Sequence, residues 1–277
     1  MARFSYERVF LGPVEAVIFD MAGTVLDFGS IAPAGVFIEV FKRRQVEISV
    51  TEARGPMGAE KRRHIEMLLE MPAVAERFTQ AHGRDWTQQD VDELYADFIP
   101  LQVNSLPNFS TLIPGADEIA QELTARGIKI GVNSGYNREM LEVCLAAVRQ
   151  QGFNPQSAVA ASDVPRARPS PAMSLKNAIE LGIENVAGCV KVDDTVPGID
   201  EGLNAGMWTI GLAISGNEVG VDHATWTAMD ADTQAKHRAR AEDKMRKAGA
   251  HYVVDSIADI LPVLEDIEAR LADGDHP

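Results

Sequence analysis

Short apolar segments that alternate with helical patterns constrain the fold of this chain more than any other feature. Residues 14–19 form a nearly continuous apolar run, and similar runs recur at residues 128–132, 158–161, 188–192, 208–212 and 251–254. Such runs are typical of parallel strands that are buried on both faces of a sheet. Each run has a helical pattern before or after it, which predicts an α/β fold with a doubly wound parallel sheet and right-handed crossovers.

The stretch between residues 19 and 128 contains no convincing strand and is far longer than a simple crossover requires. Within it, residues 36–44, 52–70, 73–78 and 91–103 repeat apolar positions at helical spacing. We therefore predict an inserted bundle, the helical cap, at residues 29–107. Residues 1–28 and 108–277 would then form a Rossmann-like α/β catalytic core.

Composition and charge limit the classes of partner. The chain has 277 residues, of which 45% are hydrophobic, and its 26 Lys and Arg against 41 Asp and Glu give a net charge of −15. An excess of negative charge argues against binding to nucleic acid or to anionic lipid. The sequence has no long apolar run that predicts a membrane span. We therefore expect a small-molecule substrate, and an anionic one would need locally placed cations.

The cysteines and the amino-terminal residues indicate the compartment. The only cysteines, Cys144 and Cys189, lie in apolar stretches that are predicted to be a helix and a strand. Residues 1–13 contain no sustained apolar segment followed by a cleavage pattern. We expect a protein of the reducing cytoplasm rather than one held together by disulfides.

The residues after the first predicted strand indicate the chemistry. Asp20 stands before a Gly-Thr turn, as in enzymes that attack phosphorus with an aspartate, whose sequence usually reads Asp-x-Asp-Gly-Thr. The second acid, which protonates the leaving oxygen, is replaced here by Ala22. Either the site is inactive or another group, such as a lysine elsewhere in the chain, activates the leaving group.

Four polar residues are predicted to lie beyond the carboxyl ends of the strands, where open α/β sheets bind their ligands. Asp20 would attack phosphorus as a nucleophile, and Ser134 with the adjacent Gly135 would donate hydrogen bonds to the phosphoryl oxygens. Arg168 would neutralise the phosphoryl charge with its planar guanidinium group. Asp194 and Asp20 repel each other unless a cation lies between them, which predicts a magnesium site.

For that Mg²⁺ ion, Asp20 and Asp194 would supply carboxylate oxygens, and the backbone carbonyl of Ala22 would be a third ligand.

Asp20, Ser134, Arg168 and Asp194, in this order, resemble the four motifs of the haloacid dehalogenase-like superfamily. In that superfamily a second acid often follows the metal-binding aspartate by four residues, but this chain has Gly198 there. Asp193 or Asp200 could compensate, and the sequence leaves this choice open.

Several segments further resemble the phosphonoacetaldehyde hydrolases: residues 15–24, 53–61, 135–140, 162–165 with 168–169, and 191–195 followed by 204–209. This resemblance extends over nearly the whole chain after residue 13, and its most specific elements are Ala22 and the Pro-Met-Gly-x-x-Lys pattern at residues 56–61. It implies hydrolysis of a carbon–phosphorus bond that uses Mg²⁺ and a Schiff-base lysine from the cap.

The lysine that matches this role is Lys61. To attack an aldehyde it must be neutral, so we expect burial and the nearby Arg62, Arg63 and His64 to lower its pKa. The resemblance also implies that Met57 and His64 lie near the lysine, and that Tyr136 lies close to the substrate. Taken alone, Lys61 would be an ordinary surface lysine, and only the joint pattern with Ala22 and residues 56–58 indicates a catalytic role.

The resemblance further suggests a homodimer formed through the cap, for which the apolar Phe37, Val40 and Phe41 would be suitable contacts. Two other functions stay open at this stage. One is an ordinary phosphate-monoester phosphatase, in which Lys61 only binds an anionic substrate. The other is a catalytically silent binding protein on the same scaffold, against which the intact pair of Asp20 and Asp194 argues.

Overall fold

The computed structural model describes residues 9–277, and their strands form one six-stranded sheet. The strands are Ala16–Phe19 (β1), Lys129–Ser134 (β2), Ser157–Ala160 (β3), Cys189–Asp193 (β4), Trp208–Leu212 (β5) and Tyr252–Val254 (β6). They pair in parallel in the order β3-β2-β1-β4-β5-β6, so the chain starts in the middle and winds outward in both directions. The predicted doubly wound parallel sheet is confirmed, with all six strands close to their predicted positions.

The register of the central strands brings their carboxyl ends to one edge. Phe19 at the end of β1 pairs with Val132 in β2 and with Val192 in β4. The residue after Val132 still belongs to β2, and the residue after Val192 still belongs to β4. In contrast, β1 ends at Phe19 and Asp20 follows it directly. The polar residues at the ends of these three neighbouring strands therefore lie side by side, as expected for a ligand site at a sheet edge.

Between β1 and residue 105 the chain forms five helices. They are Ile31–Arg43 (α1), Val50–Arg54 (α2), Lys61–Glu70 (α3), Pro72–His82 (α4) and Gln88–Ser105 (α5). The ring of Phe37 stacks between His64 and Phe98, with centroid distances of 3.8 and 4.6 Å. These contacts join α1, α3 and α5 into a bundle. The exact limits of the cap, residues 29–107, stay a prediction.

The remaining helices cover both faces of the sheet. Alternate residues of β1 point to opposite faces: Val17 and Phe19 belong to the main core, and Ala16 and Ile18 to a second apolar cluster. In the described part of the chain, none of the helices combines the length and the apolar character needed to span a bilayer. The helices after the cap are Ala116–Ala125 (α6), Arg138–Gln150 (α7), Ala172–Glu180 (α8), Val196–Asn204 (α9), His223–Ala228 (α10), Ala231–Lys247 (α11) and Leu261–Ala272 (α12).

Two chain segments connect the cap with the core, and they run side by side. The backbone N–H of Asp27 donates to the carbonyl of Thr111, and that of Ile113 donates to the carbonyl of Val25. The Asp27 carboxylate then accepts hydrogen bonds from the first two N–H groups of α1, at 3.1 and 3.0 Å. Because these groups have no partner within the helix, Asp27 fixes the direction in which α1 leaves the core.

Residues 52–70 do not form the continuous helical segment that their periodicity predicts. The helix α2 ends at Arg54, and α3 begins only at Lys61. Pro56 lacks an N–H group and Gly58 has φ +92°, so the residues between them cannot continue a helix. The Glu60 carboxylate then accepts hydrogen bonds from the backbone of Arg62 and Arg63 and caps α3. This break places Lys61 at the start of a helix, after a turn.

The dimer contact proposed for Phe37, Val40 and Phe41 is wrong for these three side chains. Each of them is fully buried within the chain, in the main hydrophobic core. Their helical spacing indicates the inner face of α1, which packs against α5 and, through the stacking of Phe37 on His64, against α3. A homodimer through the cap stays a prediction, and any such contact must use other residues.

Candidate active site

The carboxylate of Asp20 lies at the centre of the candidate site. Arg168, from the loop between β3 and α8, donates a hydrogen bond from Nη2 to Asp20 Oδ1 at 2.7 Å. Its side chain is 1% exposed, and that of Asp20 is 7% exposed, so little water screens this ion pair. The structure thus brings together two residues that the sequence predicts to share a site, although 148 positions separate them.

Behind this pair lies a buried ionic cluster that the sequence analysis missed. Arg168 Nε donates to Glu201 Oε2 at 2.8 Å, and Lys191 Nζ donates to Asn133 Oδ1 at 2.7 Å. Both cations also lie 3.2 Å from Asp193 Oδ2. A buried charge is tolerated when it is paired and hydrogen-bonded. The sequence feature that could have indicated this cluster is Lys191, a charged residue within an apolar run predicted to be a buried strand.

The protonation of Asp20 depends on these neighbours. Burial raises the pKa of Asp20 to about 6, although Arg168 acts in the opposite direction. The charge of Asp193 raises the pKa further, and Lys191 lowers it. At neutral pH Asp20 is therefore ionised in most molecules, which is the form that can act as a nucleophile.

Three carboxylates meet at this edge of the sheet and fit a divalent cation. Asp20, Asp193 and Asp194 each place one oxygen within 4.8 Å of the others. Burial, followed by the charges of Asp20 and Asp193, raises the pKa of Asp194 well above its usual range. Asp194 is held in place by the backbone N–H of Asn217 at 2.8 Å and by the hydroxyl of Thr24 at 3.4 Å. A hard cation with oxygen ligands would relieve the repulsion among these groups.

The geometry favours Asp193 over Asp200 as the acid that compensates for Gly198. Asp193 Oδ1 accepts hydrogen bonds from the N–H and the hydroxyl of Thr195, at 3.0 and 2.7 Å. A Cβ atom at position 198 would overlap the carboxylate of Asp193. Asp193 therefore occupies the space that an acidic side chain at position 198 would need. Asp200 is partly exposed on α9 and lies outside the group of three carboxylates.

Lys61 lies in the same small cavity as Asp20. The residue is 5% exposed, and its Nζ atom lies 5.1 Å from the centre of the Tyr136 ring and 5.8 Å from that of Phe37. The cavity measures about 20 Å³, which is room for roughly one water molecule. Ala22 also faces it, so no acid stands where the usual second aspartate would be. The lining residues are Asp20, Ala22, Ser30, Pro33, Met57, Gly58, Lys61, Ser134, Gly135, Tyr136, Arg168 and Thr195.

Burial lowers the pKa of Lys61 to about 8. Asp20 opposes this effect, and Arg168 adds to it. The expectation that Arg62 and Arg63 lower this pKa is wrong, because their charges are compensated on the surface of the cap. Arg62 pairs with Asp92, and Arg63 pairs with two glutamates of α3.

The other predicted pocket residues divide into two groups. Met57, Ser134, Gly135 and Tyr136 line the cavity. His64 lies one layer further out, where its ring stacks on Phe37.

The surroundings of His64 keep its ring neutral. Its Nε2 atom lies 2.9 Å from the carbonyl of Ala53, and because a carbonyl can only accept, Nε2 carries the hydrogen. Burial, and then the charge of Lys61, lower the pKa of His64 well below its usual range. Its Nδ1 atom is buried without a hydrogen-bond partner among residues 9–277, and it is left as a free acceptor.

Close backbone packing holds the turn before Lys61 against the core. A Cβ atom at Gly58 would overlap Thr195 Oγ1, and one at Gly135 would lie 2.6 Å from the carbonyl oxygen of Ala59. Glycine at both positions allows the cap and the core to approach this closely. The glycine of the Pro-Met-Gly-x-x-Lys pattern therefore allows close packing against the core, which its spacing in the sequence did not reveal.

A larger groove of about 990 Å³ lies beside the small cavity. The cap contributes Glu60, Arg63 and Tyr95 to its walls, and the core contributes Asn137 and the loop that carries Arg168. Because Arg168 borders both spaces, the groove adjoins the site and offers a route for substrate access.

Comparisons with known proteins agree with this geometry. The family model for haloacid dehalogenase-like hydrolases matches residues 14–206. A phosphonoacetaldehyde hydrolase of Hahella chejuensis is 47% identical over 274 residues, which cover 99% of this chain and 93% of that protein. That of Aliivibrio salmonicida is 46% identical over 267 residues, or 96% of this chain and 98% of the relative.

A solved structure resembles the chain over its full length. The crystal structure of a phosphonoacetaldehyde hydrolase-like protein from Oleispira antarctica matches with a TM-score of 0.97 at 46% identity, and the match covers 100% of both chains. The chain therefore belongs to the phosphonoacetaldehyde hydrolase family, within the haloacid dehalogenase-like hydrolases.

Proposed function

We propose that this protein hydrolyses the carbon–phosphorus bond of phosphonoacetaldehyde to give acetaldehyde and phosphate. One observation carries the proposal: the amine of Lys61 and the carboxylate of Asp20 line one small cavity, and Ala22 replaces the usual proton donor there. A carbon–phosphorus bond has no leaving oxygen that needs a proton. Its cleavage leaves an electron pair on carbon, and that pair must be stabilised.

Lys61 would supply this stabilisation. Its neutral amine attacks the aldehyde carbon, water leaves, and a protonated imine forms. With a pKa of about 8, roughly a tenth of the Lys61 side chains are neutral at pH 7, far more than for an ordinary lysine.

Asp20 would then take the phosphoryl group. As its carboxylate oxygen bonds to phosphorus, the carbon–phosphorus bond breaks and its electron pair moves into the iminium, which becomes an enamine. Protonation of the enamine carbon and hydrolysis of the resulting imine release acetaldehyde and free Lys61. Water hydrolyses the aspartyl phosphate to phosphate and regenerates Asp20.

Other residues of the cavity would position the substrate. Arg168 lies 2.7 Å from Asp20 and would balance the charge of the phosphoryl group, with Ser134 and Gly135 donating hydrogen bonds to its oxygens. Tyr136 and Met57 would pack against the short carbon chain.

We propose Mg²⁺ as the cation of this site, held by Asp20, Asp194 and the backbone carbonyl of Ala22. When bound, it would neutralise the phosphoryl oxygens and the attacking carboxylate, so that two anions can approach each other. Asp193, which is held by Thr195, would orient the neighbouring groups rather than bind the metal directly.

The small size of the cavity requires the cap to move. A space of about 20 Å³ cannot admit the substrate, so we propose that the cap, residues 29–107, opens as a unit relative to the core. The paired connections at Val25, Asp27, Thr111 and Ile113 form the hinge. Small-angle scattering curves recorded with and without a substrate analogue should differ, and identical curves would contradict this motion.

Turnover of two substrate classes tests the proposed reaction. The wild type should release phosphate from phosphonoacetaldehyde but not, at a comparable rate, from simple phosphate monoesters. Lys61→Arg should abolish phosphonate cleavage, because a guanidinium cannot form the imine, whereas Lys42→Arg on the exposed surface of α1 should have no effect. The alternative, a phosphate-monoester phosphatase, is favoured if Lys61→Arg retains most of the activity and simple esters are the better substrates.

We also propose a cytoplasmic homodimer. The thiols of Cys144 and Cys189 are both buried and unpaired, in accord with a reducing compartment. Sedimentation of the purified protein at micromolar concentration tests the dimer, and a single monomeric species would contradict it.

A further inference from the structure

A single arginine of the cap reaches across to the metal side of the core. Arg54, the last residue of α2, donates from Nη1 to the carbonyl of Gly29 at 2.9 Å and to Asn217 Oδ1 at 3.0 Å. Its Nη2 atom donates to the carbonyl of Gly220 at 3.1 Å. Nη1 also donates to the backbone carbonyl of Asn217 at 3.4 Å. All four acceptors are neutral, so the planar fork of the guanidinium fits a fixed set of positions. Gly220 allows this approach, since a Cβ atom there would lie 2.9 Å from Arg54 Cζ.

Asn217 joins this contact to the candidate metal site. Its side-chain amide donates to the carbonyl of Arg54 at 3.4 Å, while its backbone N–H donates to Asp194 Oδ2 at 2.8 Å. One residue of the loop after β5 therefore bonds both to the cap and to a carboxylate that we assign to Mg²⁺. On the other side, only the turn at residues 55–60 separates Arg54 from Lys61.

We propose that Arg54 is a positioning residue that couples the binding of Mg²⁺ at Asp194 to the docking of Lys61 in the cavity. The contact fixes the loop at residues 215–220, which orients Asp194, and it also fixes the end of α2, which sets the path of the turn before Lys61. By linkage, an ion that orders Asp194 and Asn217 favours the docked cap, and the docked cap favours the ion. This inference rests on the proposed function for the roles of Asp194 and Lys61.

The test measures Mg²⁺ binding and the exposure of Lys61, without substrate or turnover. The rate at which an amine-reactive reagent modifies Lys61 is followed by peptide mass spectrometry, with and without saturating Mg²⁺, and the affinity for Mg²⁺ is measured by titration calorimetry. In the wild type, Mg²⁺ should slow the modification several-fold. In Arg54→Gln, Lys61 should react faster, Mg²⁺ should no longer slow the reaction, and the affinity for Mg²⁺ should fall by roughly fivefold or more.

Arg44→Gln is the matched control. Arg44 also makes hydrogen bonds from a cap helix, but its carboxylate partners are Glu93 and Asp97 within the cap itself. This variant should keep the wild-type affinity for Mg²⁺ and the Mg²⁺-dependent protection of Lys61. Loss of protection in both variants would mean that any weakening of the cap has this effect, and the specific role of Arg54 would be overturned.

A second variant keeps the proposal testable if Arg54→Gln does not fold. Asn217→Ala removes the side-chain acceptor of Arg54 but retains the backbone N–H that bonds to Asp194, and it should weaken the protection in the same direction. In the double variant the effects should be less than additive, because the contact between Arg54 and the Asn217 side chain can be lost only once. Unchanged protection of Lys61 in Arg54→Gln or Asn217→Ala would overturn the proposal. Failure of phosphonate turnover would leave these results unaffected, so the two hypotheses can be separated.

Discussion

The Nζ atom of Lys61 lies over the ring of Tyr136, 5.1 Å from its centre, although Lys61 begins a cap helix and Tyr136 follows a core strand. The amine is therefore enclosed by aromatic surfaces rather than by water. An ammonium ion loses hydration there, and this loss shifts the equilibrium toward the neutral amine. The arrangement makes the Lys61 amine more nucleophilic, and it lowers the stability of the folded protein.

Replacement of Lys61 by methionine should abolish activity and stabilise the fold. The pKa of Lys61 falls from its ordinary value of 10.5 to about 8 in the folded protein, so the unfolded chain binds more protons between these pH values. Burial of the charged form therefore costs about 3 kcal/mol at pH 7, and this cost disappears as the pH rises toward 10.5. Urea denaturation should show Lys61→Met to be more stable than the wild type by up to about 3 kcal/mol at pH 7.

The difference should shrink toward pH 10. Lys42→Met, at an exposed position of α1, is the control and should show no such pH-dependent difference from the wild type. An equal stability difference for Lys61→Met at pH 7 and at pH 10 would contradict the shifted pKa.

The rate of imine formation should depend on pH in a defined way. Only neutral Lys61 attacks the aldehyde, so the rate should rise by up to tenfold per pH unit below about 8 and level off above it. In metal-free protein, Asp20 would bind a proton below about pH 6, and the protonated form cannot act as a nucleophile. Rapid-mixing measurements of imine formation test the predicted dependence on neutral Lys61. A rate that is constant from about pH 6.5 to about pH 8.5 would rule out this dependence.

Gly58→Ala should separate strain from steric overlap. Gly58 and Gly83 both have positive φ, +92° and +70°, so alanine at either position should cost about 1 kcal/mol of stability. Only at Gly58 would the new methyl group meet Thr195, since the space around Gly83 is open within 4 Å. We expect Gly58→Ala to lose most of its activity and Gly83→Ala to keep it. Equal activity in the two variants would show that close docking of the turn is unnecessary.

A second pair of glycines tests the role of Asp193. Gly198 and Gly35 both lie within helices, where alanine normally gains up to about 1 kcal/mol of stability. Gly35→Ala should show this gain, because its surroundings are open. Gly198→Ala should instead lose about 1–3 kcal/mol, because the methyl group would displace the Asp193 carboxylate.

The affinity of Gly198→Ala for Mg²⁺ should also fall, since Asp193 lies beside Asp20 and Asp194. Denaturation and calorimetry measure both effects. A stable Gly198→Ala variant with normal Mg²⁺ affinity would refute the explanation given for this glycine.

The strands and the residues at their ends could be predicted because a buried parallel strand leaves a short apolar run, and its carboxyl end has a fixed place in the sheet. Asp20, Ser134 and Arg168 accordingly meet as expected. The helical bundle of the cap was also predictable from the sequence, but the periodicity could not show that residues 55–60 interrupt it. Pro56 and Gly58 were visible in the sequence, but the close approach of Gly58 to Thr195 is a long-range packing relationship that the sequence could not show.

The surroundings of the catalytic groups were less predictable than the groups themselves. The cluster around Glu201 and Lys191 depends on which face of a helix meets the end of a strand, and a single sequence gives no distance between them. The pKa of Lys61 illustrates the same limit. The direction of the pKa shift was predicted correctly. Burial and Arg168 cause the shift, whereas the charges of the adjacent Arg62 and Arg63 are neutralised by other partners.

Borohydride trapping of the imine tests the central claim most directly. The protein is mixed with phosphonoacetaldehyde and sodium borohydride, digested, and mapped by mass spectrometry, with Lys61→Arg as the control. We predict irreversible loss of activity and a reduced, alkylated lysine confined to position 61, absent from the control and dependent on the substrate. An unmodified Lys61 in protein that turns over phosphonoacetaldehyde would contradict the account.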